Sequence, residues 1–499
     1  MRQLRKIIPF LTLGDFKMNN ATTSRRVFMK TGVGALAAGL VARFSSDVFA
    51  QPAPPALRVR QSVTSLNPNG SEIAALKAGV SEMKRRTNAN ANDPTGWRGQ
   101  ALIHQNHCPH ANFFFLPWHR AYLYHFEQIC RDASGVADFV LPYWDWSADR
   151  ELPSVFWGAD NSLSHAGREI SQTSQASLFA VGTNIMTGIL QSSSFTNIAS
   201  SPPNPLEQRR LATKGALEGG PHDYIHGFVA GDMSTYMSPL DPCFWLHHAN
   251  IDRIWAEWTD RHPNGNISDT GWRGWNFANN FVDVSGNSLP NVTVGSMLST
   301  YDLGYRYNTQ SPIPPGNPTP SPLVRPLFLA QAPNNALLTG AAPLATEIDL
   351  GTDIRREINT ISKTRIDDIW NAKKKAPSVS LTVEGVRPPK DLNVVIRVFI
   401  NCNYLSRETP AIDPHYVGSI AFFEHGDHGD GGAHAEDSTQ SYSFDLTSTI
   451  QALASVNAYN ENEPIEVQLL PVPIHGDAVY SEDISIKGYK IEYSESESR

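Results

Sequence analysis

The chain reads His104-Gln105-Asn106-His107-Cys108-Pro109-His110, then Ala111-Asn112-Phe113-Phe114-Phe115-Leu116, then Pro117-Trp118-His119-Arg120-Ala121-Tyr122-Leu123-Tyr124-His125-Phe126-Glu127. Its last part carries a helix signature. Pro117 fits a first turn, and Trp118, Tyr122, Phe126 and Ile129 recur at helical spacing as one apolar stripe. His119 projects beside that stripe, whereas His125, six residues on, points elsewhere. Three imidazoles with no carboxylate or thiolate among them suit Cu, Zn, Fe or Ni. Such a set keeps a metal able to change redox state and leaves positions open for oxygen.

A second block follows in Pro221-His222-Asp223-Tyr224-Ile225-His226, where two imidazoles at i and i+4 share one helical face and can share one ion. Further on stands Asp241-Pro242-Cys243-Phe244-Trp245-Leu246-His247-His248-Ala249-Asn250-Ile251-Asp252-Arg253. Adjacent helical residues diverge by about 100°, so His247 and His248 are not expected to face the same metal. Asp252, four residues after His248, is a candidate to orient its imidazole. Alone, His222 to His226 resembles a variant of the zinc-protease HExxH helix with Asp223 in place of Glu, but that reading leaves the first block unexplained. Nine of the 16 histidines fall in the two blocks, which points to a two-metal site.

The chain has 499 residues, long enough for two domains, and a formal charge of -8, which argues against a nucleic-acid partner. Four scattered cysteines form no disulfide framework and no CxxC pair. Ser24-Arg25-Arg26-Val27-Phe28-Met29-Lys30, before a short Gly/Ala-rich apolar run, resembles a twin-arginine export signal. That assigns residues 1–50 to an address and the protein to the periplasm or the extracellular space. The run is too short for stable membrane insertion.

Residues 51–308 read as a helical domain rich in Trp and His. Residues 309–376, dense in proline, read as an extended connector. Residues 377–499 hold short β-branched runs at 379–383, 394–400, 417–423, 465–470 and 484–491, the pattern of an all-β domain. The expected fold is thus an α-helical bundle carrying the two-metal core, followed by a smaller all-β C-terminal domain.

The two blocks, with Leu141-Pro142-Tyr143-Trp144-Asp145-Trp146 between them, resemble the tyrosinase, catechol oxidase and haemocyanin superfamily of coupled dicopper proteins over most of residues 57–308. The resemblance implies two copper ions, the first held by His104, His110 and His119 and the second by His222, His226 and His248. His107 competes with His104, which is favoured because residues 97–103 can form the helix the family uses there. Cys108 stands where fungal relatives join the cysteine sulfur to an imidazole carbon, here of His110. Glu218 matches a glutamate that holds a water near the coppers in plant-type relatives. Asp223 occupies the position that helps deprotonate phenols, where many tyrosinases have Asn; this departure weighs against monophenol hydroxylation and leaves diphenol oxidation in place.

The activity implied is oxidation of o-diphenols to o-quinones by dioxygen, with ortho-hydroxylation of monophenols as an added capacity. The alternatives are oxidation of o-aminophenols or oxygen carriage as in haemocyanin. The export signal and the single dicopper unit favour an enzyme acting on a small phenol. Residues 377–493 resemble the C-terminal region of plant polyphenol oxidases, which can cover the copper site. A latent enzyme is therefore expected, activated by a cut between about residues 310 and 377. Tyr305-Arg306-Tyr307 resembles the Tyr-x-Tyr element that closes the domain in plant relatives against an N-terminal arginine, here Arg58 or Arg60. The loop Glu424-His425-Gly426-Asp427-His428-Gly429-Asp430, with His434, offers further metal ligands.

Overall fold

Helix formation around the histidines follows the apolar periodicity. The computed structural model describes residues 57–263, 265–315, 326–340, 342–364, 376–423, 439–477, 480 and 482–496. The export signal and the loop bearing His425, His428 and His434 lie outside them. Strand β1 (Arg58–Arg60) precedes helices α1 (Ser71–Ala89), α2 (Trp97–His107) and α3 (Phe115–Ser134). Helix α2 stops at Cys108, whose φ of -63° and ψ of 130° are extended, because a residue before proline disfavours the helical region. Helix α3 buries Trp118, Tyr122, Phe126 and Ile129 as its periodicity requires, and ends on Gly135 at φ 68°, a left-handed cap.

Short helices α4 (Leu178–Val181), α5 (Thr183–Gln191) and α6 (Phe195–Ala199) lead to strand β2 (Thr213–Lys214). A π-helical turn at Glu218–His222 then feeds α7 (Asp223–Val229). Helix α8 (Cys243–Arg261) buries all but four of its 19 residues, so its sequence is apolar or internally paired on every side. Helix α9 (Thr270–Gly274) and strand β3 (Tyr305–Tyr307) complete this region, β3 running parallel to β1.

The C-terminal region contains β4 (Phe328–Thr339), β5 (Leu344–Ile348), α10 (Gly351–Lys363), β6 (Ala376–Val386), β7 (Val394–Ile400), β8 (Tyr416–Ile420), β9 (Gln440–Asp445), α11 (Thr447–Ser455), β10 (Ile465–Pro473) and β11 (Asp483–Ser496). The strands form a four-stranded sheet, β5-β10-β7-β8, and a five-stranded sheet, β2-β9-β6-β11-β4, around one apolar core. It is β-rich, and among the described residues it also carries the helices α10 and α11. The expected connector at 309–376 is corrected, because β4 pairs with β11 and β5 with β10. The proline-dense run that suggested a connector lies at 312–322, ahead of β4; Pro333 itself sits in β4, an edge strand, where proline is tolerated.

Strand β7 explains how the two regions meet. Val394, Ile396, Val398 and Ile400 pack into the sandwich core, whereas Val395 packs with the helical region and Phe399 against Phe179 of α4. Both faces are buried, hence the nearly continuous apolar run. Among the described residues no helix is long and apolar enough to cross a membrane.

Candidate metal centre

Each expected histidine arrives from a different local structure. His104 comes from the last turn of α2, His110 from the following loop and His119 from α3. His222 closes the π-helical turn, His226 lies on α7 and His248 on α8. All six are at most 3% exposed. Ring centroids lie 5.5 Å apart for His104–His110 and His104–His119, and 5.3 Å for His110–His119. In the second set they are 4.5 Å for His222–His226, 5.0 Å for His222–His248 and 5.4 Å for His226–His248. The sets meet where His119 stacks on His248 at 4.5 Å and 17°.

Hydrogen bonds fix the tautomers. His104 Nδ1 lies 2.8 Å from the Tyr236 carbonyl and His119 Nδ1 2.8 Å from the Phe115 carbonyl; His226 Nδ1 donates to the Met233 carbonyl. A carbonyl only accepts, so each Nδ1 carries the proton and each neutral ring presents a bare Nε2. The Nε2 atoms of His104 and His119 then face one another at 3.4 Å. Two lone pairs so placed require a cation between them. A proton is a poor one: burial drives the His104 imidazole well below its ordinary range and the His119 and His226 imidazoles down to about 3. A metal fits, since two nitrogens on one tetrahedral ion at 2.0–2.1 Å are about 3.3 Å apart. His226 Nε2 and His248 Nε2 are 3.2 Å apart, and the buried His222 Nε2 has no hydrogen-bond partner.

His104, not His107, joins the cluster; His107 is only partly buried on the flank of α2. His247 departs from expectation. Its ring lies 5.5 Å from that of His222 and 5.1 Å from that of His226, because α8 is surrounded and no face leads away from the site. Chemistry rather than direction sets it apart. The indole N–H of Trp146 donates to His247 Nδ1 at 3.1 Å, so the neutral ring carries its proton on Nε2. Cys108 Sγ, on a buried free cysteine, is 3.6 Å from His110 Nδ1.

Three buried carboxylates stand near the cluster. Asp252 does not touch His248. It takes bonds from Arg120 Nε at 2.5 Å and from the Tyr305 and Tyr307 hydroxyls at 2.7 Å each, with Arg60 Nη1 at 3.4 Å. The arginine of the Tyr-x-Tyr element is Arg60, its guanidinium 3.9 Å above the Tyr305 ring; Arg58 is exposed. Burial pushes the Asp252 carboxyl up, but Arg120, Arg60 and Tyr307 outweigh that and hold it below its ordinary value.

Glu218 is fully buried, one oxygen accepting from Ala111 N at 2.5 Å and the other from Ser200 Oγ at 2.6 Å, so both are engaged by protein donors. Burial raises its carboxyl to about 7. Asp223, the first residue of α7, is also fully buried. Its Oδ1 meets His222 Nδ1 at 2.8 Å and its Oδ2 meets Lys214 Nζ at 2.5 Å. Burial outweighs the opposing pull of Lys214 and lifts it to about 6.

Sequence reasoning assigned no role to Lys214, Trp146, Tyr236 or Phe423. Trp146 had a signal as the end of the Leu141 to Trp146 motif, and Phe423 as the end of an apolar run. Its ring, carried just beyond β8, stands 5.1 Å from His110, 4.7 Å from His226, 6.1 Å from His222 and 5.6 Å from Tyr236.

Two buried, facing sets of neutral imidazoles in a helical bundle define a histidine-rich metalloprotein capped by a β-sandwich. The common central domain of tyrosinase matches residues 81–212 and 183–261, and the chloroplastic polyphenol oxidase C-terminal domain matches residues 349–493. The chain belongs to the tyrosinase and polyphenol oxidase family and is an oxidoreductase. It is 26% identical over 485 residues to tyrosinase HcTyr1 of Hahella sp. (strain CCB-MM4), covering 83% of this chain and 95% of that one. It is 34% identical over 181 residues to the tyrosinase of Streptomyces glaucescens, covering 31% of this chain and 65% of that one. Catechol oxidase B of Solanum tuberosum is 25% identical over 460 residues, 83% of this chain and 74% of that one. In fold the chain is similar to latent apple tyrosinase, with a TM-score of 0.65 and 20% identity over 89% of this chain and 98% of that one.

Proposed function

We propose that the protein is a latent, copper-dependent polyphenol oxidase that converts o-diphenols to o-quinones with dioxygen. His104, His110 and His119 would hold one copper and His222, His226 and His248 the other. The observation that carries this reading is the pair of facing imidazole sets, with bare nitrogens of His104 and His119 3.4 Å apart. Bound there, the copper pair supplies dioxygen binding and the two-electron oxidation of the phenol.

The chain supplies placement. Backbone carbonyls of Tyr236, Phe115 and Met233 hold three rings by Nδ1, and Asp223 holds His222, so each Nε2 is aimed inward before a metal arrives. Burial keeps the imidazoles neutral and able to ligate. Because Asp223 is committed to Lys214 and His222, it is a poor acceptor for a phenolic proton, which favours diphenol oxidation over monophenol hydroxylation. Phe423 lies among His110, His222 and His226, where a phenol ring would dock, which supports latency. Cys108 is placed to join its sulfur to the His110 ring, the S–H and C–H bonds breaking and two protons and two electrons passing to dioxygen to give hydrogen peroxide. The Ser24 to Lys30 segment supports export by the twin-arginine route.

The test is aerobic oxidation of 4-methylcatechol, p-cresol and o-aminophenol by copper-loaded protein freed of its C-terminal region. Turnover of the catechol, abolished in His119→Ala and His226→Ala, is expected. Full turnover by either variant, or none by the parent, defeats the reading.

A further inference from the structure

The segment from β2 to α7 carries Glu218, His222 and Asp223, and the C-terminal region grips it at three points. Strand β2 pairs in parallel with β9, Thr213 opposite Ser441 and Lys214 opposite Tyr442. Gln440 Nε2 donates to the Ala212 carbonyl at 2.6 Å, and Ala421 N donates to the Gly219 carbonyl at 2.9 Å. A Cβ on Gly219 would lie 2.6 Å from Tyr442 Cδ1, so the close approach needs glycine there.

Lys214, the second residue of β2, sends a side chain only 1% exposed to a fully buried Asp223. That carboxylate divides its oxygens between Lys214 Nζ and His222 Nδ1. A buried carboxylate stripped of its counter-ion is costly, so its hold on His222 depends on Lys214, and Lys214 depends on strand pairing.

We propose that Lys214 is a positioning residue for His222 and that the C-terminal region braces it through β2 and β9, so that the region which closes the site also steadies one of its metal ligands. The inference rests on the reading of His222 as a copper ligand. It separates two effects of removing the C-terminal region: withdrawal of Phe423 opens the site, and loss of β9 loosens His222.

The experiment measures copper release from the loaded full chain to excess chelator. All variants are built on Phe423→Ala, so that access is equally open. Phe423→Ala/Lys214→Met is expected to release one copper per chain about 10–100-fold faster than Phe423→Ala, the range typical of lost ligand support. Phe423→Ala/Lys214→Met/Asp223→Asn is expected to recover slow release, because neutral Asn still accepts from His222 without needing a cation. In the full chain, Phe423→Ala/Gly219→Ala, whose new Cβ would meet Tyr442 of β9 at 2.6 Å and part the two regions there, is expected to behave like the Met variant, which keeps the test decisive if Lys214→Met fails to fold. Equal release from all forms, or no recovery with Asn, overturns the inference. If Phe423→Ala/His222→Ala still holds two coppers, the ligand reading itself fails and the inference with it.

Discussion

The ring of Phe423 lies 4.7 Å from that of His226, although 197 residues separate them, so the C-terminal region places an aromatic side chain inside a cluster built by the helical one. On the proposed function, a phenol ring and the Phe423 ring compete for that space. Phe423→Ala in the full chain should therefore raise catechol oxidation by about tenfold or more, the factor that each 1.4 kcal/mol of plug docking represents. Steady-state rates with and without removal of the C-terminal region check this. Equal rates for Phe423→Ala and the parent would show that something else closes the site.

Limited proteolysis should activate only when the cut falls between residues 311 and 327 and the whole C-terminal region is then stripped away. The β2–β9 pairing and the β7 seam hold a merely nicked chain together. A cut between 364 and 376 leaves β4 and β5 hydrogen-bonded to β11 and β10, so the pieces should stay together and remain latent. Gel filtration and activity of the stripped and the nicked forms distinguish the outcomes.

The buried network at Asp252 predicts a pH-dependent stability term. Its folded carboxyl titrates below the unfolded value of about 3.9. The stabilisation is thus fully present above about pH 4 and is lost as the pH falls through the folded value. Asp252→Asn should destabilise by about 3–5 kcal/mol at pH 7, since it leaves Arg60 and Arg120 buried without their shared anion. Urea unfolding should show that deficit shrinking at pH 3, and a constant deficit would refute the assignment.

Intact-mass measurement after copper loading should find the chain lighter by the mass of two hydrogens, and Cys108→Ser should remove the difference. Cys108 Sγ is already in contact with the His110 ring. A mass with four free thiols would leave Cys108 as a buried thiol only.

What was legible in the chain was whatever local periodicity or spacing carries. Helix α3, the i and i+4 pair His222 and His226, and strands β6, β7, β8, β10 and β11 all have such patterns. Strand β4 did not, because an edge position hides a proline and asparagines that elsewhere would end a strand. Lys214 could not be found, since a two-residue strand has no periodicity and its partner β9 is more than 200 residues away. Asp252 misled because helical spacing from His248 fixes a face but not which buried arginine competes for the carboxylate.

Strand β7 has a consequence for how such a protein changes over generations. Its even-numbered residues belong to the sandwich core and its odd-numbered ones to the seam with the helical region. Mutational drift at Val395 or Phe399 can adjust how firmly the C-terminal region is held against the helical one while the sandwich keeps its fold. The grip between the two regions is therefore a trait that selection can tune at those sites without touching the sandwich core.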